Sequence, residues 1–351
     1  MITPKSPAKI DTVRAIQWSD DCLKLLDQRR LPTQVEYLEL CTVEEVAAAI
    51  RDMVVRGAPA IGIAAAYGVV LAATHAWREQ QDTWKQVLTE KLLQLRGARP
   101  TAVNLRWAID RMQAIAKNCQ GDPFSMLLAE ARGIHQQDIE ANLEMGRIGA
   151  EYLRNCHAVL THCNTGSLAT GGFGTALGVI RTAFSNHFIE SVYVAETRPW
   201  LQGSRLTAWE LQQDHIPVTL VADSTAAFLM QAGKIGWVIV GADRVAANGD
   251  VANKIGTYSH AVNARHHGLG FMVVAPVSTI DPGTSTGADI EIEERKPGEL
   301  LEFSNVRIAP AGVQAYNPVF DITPAGLVTV LVTEKGAIET PDREKIRSLL
   351  R

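Results

Sequence analysis

Asp243 stands where an apolar run, Trp237 to Gly241, gives way to the polar, glycine-bearing stretch GADRVAANGDVANKIGT, with Asn253 and Lys254 about ten residues further on. An acid, an amide and an ammonium group delivered from one strand end suit a small, oxygen-rich, anionic substrate. Open α/β sheets bind their ligands at the carboxyl ends of strands, so the position agrees with the chemistry. Taken alone, the stretch reads equally as a solvated turn around Asn248-Gly249. Other loops have to decide.

A second loop follows the run AVLTH: Cys163-Asn164-Thr165-Gly166-Ser167, then glycines at 171, 172, 174 and 178 leading toward a helix. Glycines let backbone amides approach an anion closely, and a helix amino terminus adds a favourable dipole. Cys163 is therefore the one cysteine singled out as chemically special. Gly172, Gly174 and Gly178, with Glu196 at a strand end, imitate a dinucleotide fingerprint. The true fingerprint turns directly off its strand, whereas here some ten residues intervene after His162 and Leu177 occupies the third glycine position, so no nicotinamide cofactor is expected.

In the third stretch, TRPWLQGSRLTAWEL, Gln202 and Gly203 are expected in a loop and Leu206 to Gln212 at the start of the next helix. Further toward the amino terminus, Arg56 and Gly57 precede Ala58-Pro59 at a helix start, and Arg99 before Pro100 repeats the arrangement. Guanidinium forks match phosphate oxygens, so two of them at helix starts make a phosphate clamp, although each alone is an ordinary cap-region arginine.

The elements that must carry these loops change character along the chain. Short alternating runs such as VRAIQW and CLKLLDQ predict a small antiparallel sheet in the first forty residues. Thr42 and Glu45 form a capping box ahead of a helix, and Ile63 to Ala76 reads as a helix of small apolar residues buried nearly all round. Helical patterns continue through Trp84–Leu95, Ala102–Ala116 and Pro123 to about Arg154. Near residue 157 the period changes: AVLTH, SVYVAE, PVTLVA, WVIVGA and FMVVAP are brief β-rich runs separated by segments of helical length. That alternation predicts an α/β fold whose carboxy-terminal half is a Rossmann-like, doubly wound parallel sheet. The expected organisation is a helical domain with a small antiparallel sheet over 1–150 and a catalytic domain over 151–351.

With 351 residues, 46% of them apolar and 21% charged, the chain is long enough for two globular domains, and a formal charge of -4 offers no general attraction to nucleic acid or an anionic membrane. The stretch MITPKSPAKIDTVRAIQW lacks the apolar core of a signal peptide, and no later run reaches spanning length without polar interruption, so a cytoplasmic protein is expected. Five cysteines, Cys22, Cys41, Cys119, Cys156 and Cys163, without a repeated short spacing argue for reduced thiols and against a structural zinc site. The nine histidines contain no HExxH pairing, and no metal site is expected.

Taken together, RGAPAIG at 56–62, ARPTAVNL at 98–105, THCNTGSLATGGFGTALG at 161–178, ETRPWLQGSRLTAWEL at 196–211, GADRVAANGDVANKIGTY at 241–258 and NPVFDITPAGLVT at 317–329 closely resemble the methylthioribose-1-phosphate isomerases, in order and over nearly the full chain. The wider family includes ribose-1,5-bisphosphate isomerases and regulatory subunits of a translation-initiation exchange factor. The resemblance implies a cytosolic, cofactor-free, homodimeric isomerase of methionine salvage that turns 5-methylthioribose 1-phosphate into 5-methylthioribulose 1-phosphate. Carried over residue by residue, it implies Cys163 and Asp243 as catalytic, and Arg56, Gly57, Ala58, Arg99, Gln202, Asn253 and Lys254 as substrate contacts.

Phosphate on the anomeric oxygen locks such a sugar in its ring, so something must open it. Asp243 is expected to protonate the ring oxygen and Cys163 to govern hydrogen transfer from C2 to C1. The residues leave enolate and hydride routes equally open. Arg56, Arg99, Lys254 and amides of the glycine-rich loop are the expected pool of phosphate donors, Gln202 and Asn253 the hydroxyl partners, and Trp200 or Phe173 part of an apolar wall for the methylthio group.

Overall fold

The structure is a computed structural model that describes residues 10–99, 102–303 and 306–351. The first part of the stretch read for a leader peptide, residues 1–9, lies outside the described residues, as do Pro100 and Thr101 of the ARPTAVNL motif. The described chain divides into two units, one of residues 10–144 and 165–178 and the other of residues 145–164 and 179–351.

The first unit begins with a three-stranded antiparallel sheet of β1 (Ile16–Ser19), β2 (Cys22–Leu26) and β3 (Tyr37–Leu40). Leu23 and Leu25 lie buried on one face while Lys24 lies on the other, as the alternating sequence requires. Helix α1 (Val43–Arg51) starts at the Thr42–Glu45 capping box. Helix α2 (Ala58–Glu79) follows, and its middle is buried on every side because its small residues admit close neighbours, among them α3 (Trp84–Gly97) and α4 (Val103–Asn118). By length and hydropathy α2 is sufficient to cross a bilayer, although Thr74 and His75 interrupt its apolar run, and 89% of its most apolar window is buried inside the protein, as in a core helix. Helix α5 (Phe124–Ala150) completes the helical series.

One sequence expectation is overturned in the small sheet. Cys22 and Cys41 are joined in a disulfide, with Cα atoms 4.6 Å apart. The pairing of Leu23 with Leu40 puts the next positions outward, 22 and 41, side by side, and counting cysteines cannot reveal a proximity that strand register creates. Cys119, Cys156 and Cys163 lie outside any disulfide and are buried. Donor atoms of Cys22, Cys41 and Glu39 fall within 4.8 Å of one another; while the two sulfurs are joined, no thiolate is available there to a metal.

The second unit is built on a seven-stranded sheet. In chain order its elements are β4 (Ala158–Thr161), α6 (Ala176–Ser185), β5 (Ser191–Ala195), α7 (Ala208–Gln213), β6 (Val218–Val221), α8 (Thr225–Gln231), β7 (Trp237–Val240), then β8 (Arg244–Ala246) and β9 (Val251–Lys254), α9 (Thr257–His266), β10 (Gly270–Val274), β11 (Ile280–Asp281), α10 (Gly298–Leu301), the pair β12 (Glu302–Phe303) and β13 (Val306–Arg307), β14 (Phe320–Thr323), β15 (Val330–Thr333), β16 (Gly336–Glu339) and α11 (Arg343–Leu349). Residues 176–178 of α6 belong to the first unit.

The strand order is β16-β15-β10-β7-β4-β5-β6, all parallel except β16, which pairs antiparallel at the edge. Read from β6, the six parallel strands have the 3-2-1-4-5-6 order of the Rossmann fold. Residues of β4, β7, β10 and β15 are almost wholly buried, and Leu160, Val238, Val240, Val273 and Leu331 join Leu229, Met230, Ala261, Ala264 and Ile346 in one apolar core. Burying each such aliphatic side chain contributes about 1.5–3 kcal/mol, and short β-branched runs with no polar alternation suit strands covered on both faces. A second, four-stranded sheet of order β11-β8-β9-β14 follows the carboxyl end of β7.

Candidate active site at the ends of adjacent strands

Strands β4 and β7 are neighbours in register, Leu160 opposite Val238 and Thr161 opposite Ile239, although β7 comes after β5 and β6 in the chain. From β4 the chain winds outward to β5 and β6, then returns to the other side of β4 and winds out through β7 and β10. The β4–β7 boundary is thus the topological switch point, where an open α/β sheet has its crevice. Cys163 follows the end of β4 by two residues and Asp243 follows the end of β7 by three.

The backbone at Cys163 is held on both sides. Its N–H donates to Thr197 Oγ1 at 2.9 Å, and its carbonyl accepts from Thr207 Oγ1 at 2.5 Å. Its φ of 62° lies in the left-handed region, which a non-glycine residue keeps only when neighbours over-determine it. Asn164 continues the anchoring: its amide donates to Glu210 Oε1 at 2.7 Å, and Glu210 is in turn bound to the fully buried Arg181 at 3.0 Å. Arg181 also reaches Asp214 Oδ2 at 2.6 Å. Burial pushes the Glu210 carboxyl up, and the Arg181 guanidinium draws it back.

On the β7 side, Asp243 is half-buried and its N–H donates to Ala252 O at 2.9 Å, tying the strand end to β9. Among the described residues its carboxylate has no hydrogen-bond or ion-pair partner. Asn253 and Lys254 belong to β9 rather than to a loop; β9 pairs with β8 at Val251 and Ala252 and with β14 along its length, so Asn253 and Lys254 stand opposite Asp321 and Phe320. Asn253 is buried and donates to Thr257 Oγ1 at 3.0 Å. Lys254 is 5% exposed, and its ammonium lies 4.4 Å from the centre of the Phe320 ring.

Gln202, expected in a loop, instead leads into a π-helical turn, Gly203–Thr207, that runs on into α7. Such turns recur at functional sites because they break the regular helix ladder. A Cβ at Gly203 would collide with the Ala195 carbonyl at the end of β5, so glycine is required for the turn to sit against the sheet. Gln202 is 3% exposed and its Oε1 has no hydrogen-bond partner. A buried acceptor left in that condition costs about 1–3 kcal/mol, which a ligand hydroxyl would recover. Trp200 is half-buried with the Arg205 guanidinium 4.0 Å from its ring centre.

The remaining sequence candidates belong to the helical unit. Arg56 is buried immediately before Gly57, whose φ of 92° and close approach to the Ala169 carbonyl exclude any side chain. Ala58 opens α2, with Pro59 in its first turn. Arg99 is half-buried just beyond α3, and Phe173 is almost completely buried, as a core residue would be.

Several groups at the switch point escaped the sequence reading. His162 is fully buried, with Nε2 2.8 Å from Ile255 O and Nδ1 3.2 Å from Nε2 of the equally buried His260. Burial draws both imidazoles down, His162 to about 4 and His260 to about 3. Asp223 accepts from the N–H groups of Thr197 and Arg198, each at 2.8 Å. Asp321 of β14 accepts from Gly256 N and Tyr258 N and so caps α9 from another strand; burial raises its carboxyl to about 6. His162 and Asp321 lie in motifs quoted above, but nothing about either residue alone reveals its distant partners.

Residues 54–340 match the Initiation factor 2 subunit family. The chain belongs to that family. Within it, the chain is 58% identical to the methylthioribose-1-phosphate isomerase of Thioalkalivibrio sulfidiphilus, over 97% of this chain and 98% of that one. The crystal structure of 5-methylthioribose 1-phosphate isomerase from Pyrococcus horikoshii superposes with a TM-score of 0.93 at 42% identity, covering 99% of this chain and 98% of that one. A second member of the family, described as translation initiation factor eIF-2B subunit delta from A. fulgidus, has a TM-score of 0.86 at 44% identity, covering 96% and 100%.

Proposed function

We propose that this chain is an aldose–ketose isomerase converting 5-methylthioribose 1-phosphate to 5-methylthioribulose 1-phosphate, a step of methionine salvage. The observation that carries the reading is the placement of Cys163 and Asp243 at the carboxyl ends of adjacent strands flanking the switch point. Near-full-length identity to isomerases of that name supports it.

Asp243 gives a proton to the ring oxygen, and the bond from C1 to that oxygen breaks. Hydrogen then passes from C2 to C1 beside the Cys163 thiol, the C2 hydroxyl releases its proton, and the ketose keeps its phosphate. The reaction is redox-neutral within one molecule, so the scheme calls for no external hydride carrier. Gln202 Oε1 accepts from a sugar hydroxyl, Asn253 contacts another, and Lys254 faces the phosphate. Arg56, Gly57, Ala58 and Arg99, in the helical unit, are proposed as further substrate contacts, each open to test by its own substitution. We assign the chain to the cytoplasm and to a homodimer, on the strength of the resemblance.

The test is turnover. Purified protein incubated with 5-methylthioribose 1-phosphate, without added cofactor or metal, is expected to yield the ketose phosphate; an unchanged substrate pool would overturn the reading. Ribose 1,5-bisphosphate in a parallel reaction separates the related phosphopentose isomerase. The likeness to a chain described as an initiation-factor subunit favours a second reading, a non-catalytic assembly subunit, which would turn over neither sugar.

A further inference from the structure

Every hydrogen bond around His162 can be assigned a direction. The Ile255 carbonyl can only accept, so the imidazole carries its proton on Nε2 and donates across 2.8 Å. Its Nδ1 is then an acceptor, and the donor facing it at 3.2 Å must be the Nε2–H of His260. The Thr197 hydroxyl, which accepts from Cys163 N, has its proton directed to Ala195 O at 3.0 Å and stands 3.4 Å from His162 Nδ1. The other charged groups facing the pair are Asp223, whose carboxylate is 3.9 Å from His162 Nδ1, and Lys254, whose charge disfavours a second proton on His162. A protonated His162 would set two N–H groups against each other between two buried rings. His162 is therefore neutral with its proton on Nε2, and burial, which draws His260 down to about 3, keeps that ring neutral as the Nε2–H tautomer.

The consequence is mechanical. His162 precedes Cys163, and Ile255 follows Asn253 and Lys254. His260 arises from α9, which begins immediately after that segment, so the chain His260 to His162 to Ile255 ties the end of β4 to the end of β9. We propose that His162 is a positioning residue that fixes the Cys163 backbone relative to Asn253 and Lys254 through its Nε2–H bond to Ile255, with His260 holding it in that tautomer. This rests on the isomerase reading, in which those three residues meet one substrate.

Three measurements test it. His162→Phe keeps a ring of similar shape and removes both hydrogen bonds. Displacing a catalytic group by about 1 Å costs on the order of 100-fold, so kcat is expected to fall by about 10- to 100-fold with KM changed by less than about threefold. His162→Gln, whose amide can still donate to Ile255 O, is expected to recover kcat to within about fivefold of the unsubstituted protein. If both variants melt lower yet retain full kcat well below their melting temperatures, the role is structural only and the inference fails. If His162→Phe does not fold, the decision rests on His162→Gln and on imidazole nitrogen NMR of the unsubstituted protein. There a proton confined to His162 Nε2 between about pH 5 and 8 is expected, and an Nδ1–H tautomer or an imidazolium would overturn the assignment. An unsubstituted protein that leaves the substrate untouched would instead defeat the isomerase reading, while the NMR result would still report on the tautomer.

Discussion

The two shoulders of the switch point are built in opposite ways. Beyond β4, Cys163 is buried, held at both backbone polar groups by threonine hydroxyls, and backed through Asn164 by the wholly buried Arg181–Glu210–Asp214 cluster. Beyond β7, Asp243 is anchored through its N–H while its half-buried carboxylate is left without a partner among the described residues. The thiol is placed by its backbone; the acid keeps its side chain available. That division suits a reaction in which one group must stay fixed beside two carbon atoms and the other must give a proton and take it back.

The largest effect is expected where the available group is lost. Asp243→Asn should lower kcat by about 10²- to 10⁴-fold and leave the melting temperature nearly unchanged, because positioned acid–base groups contribute on that scale and, among the described residues, this carboxylate makes no hydrogen bond or ion pair. Steady-state kinetics beside a thermal melt would show whether activity and stability separate in this way. If both fell together, Asp243 would be a structural residue and the contrast between the shoulders would disappear.

Next comes the scaffold behind Cys163. Arg181→Met would leave Glu210 and Asp214 buried without their cation, and breaking such a cluster typically costs about 3–5 kcal/mol. Denaturant unfolding is expected to show that loss, with activity following the folded fraction. A stability change below about 1 kcal/mol would mean that the cluster contributes little, as many exposed pairs do.

Acid should loosen the same shoulder. Burial holds His162 at about 4 and His260 at about 3, below the ordinary 6.5, so on unfolding each takes up a proton anywhere between its folded value and 6.5. The unfolded chain binds more protons in that window. Stability is thus fully present above about pH 6.5 and is lost as the pH falls toward 4 and then 3, by about 3 kcal/mol for His162 alone. Melting temperatures measured from pH 7 to pH 4 are expected to fall less steeply for His162→Phe than for the unsubstituted protein, and parallel slopes would contradict the assignment.

The smallest expected effect sharpens the view of the ligand. Gln202→Leu removes the one unpartnered amide oxygen of the π-helical turn, so folding should be unharmed while KM rises about tenfold, the value of one hydrogen bond to a substrate hydroxyl. An unchanged KM would remove Gln202 from the substrate contacts.

Much of the fold is legible in the sequence, because Val- and Ile-rich runs such as WVIV and FMVV are too brief for helices and too apolar for a half-exposed strand, and the Thr42–Glu45 box marks a helix start by its own chemistry. Less legible was anything produced by pairing between distant segments. The Cys22–Cys41 disulfide follows from sheet register, and the β9 assignment of Asn253 and Lys254 depends on β14, some seventy residues further on. Local spacing carries no record of either. The same limit applies at the candidate site: strand-end chemistry draws attention to Cys163 and Asp243, whereas His162 acquires meaning only once His260 and Ile255 are beside it.

In the proposed reaction one sugar phosphate lies across both shoulders at once. Crystals of the Asp243→Asn protein soaked with 5-methylthioribose 1-phosphate would test it most directly. Density for the ring is expected at the ends of β4 and β7, with the Cys163 sulfur beside C1 and C2 and the residue at 243 within hydrogen-bonding reach of the ring oxygen. A sugar bound away from either residue, in an otherwise intact and saturated site, would contradict it.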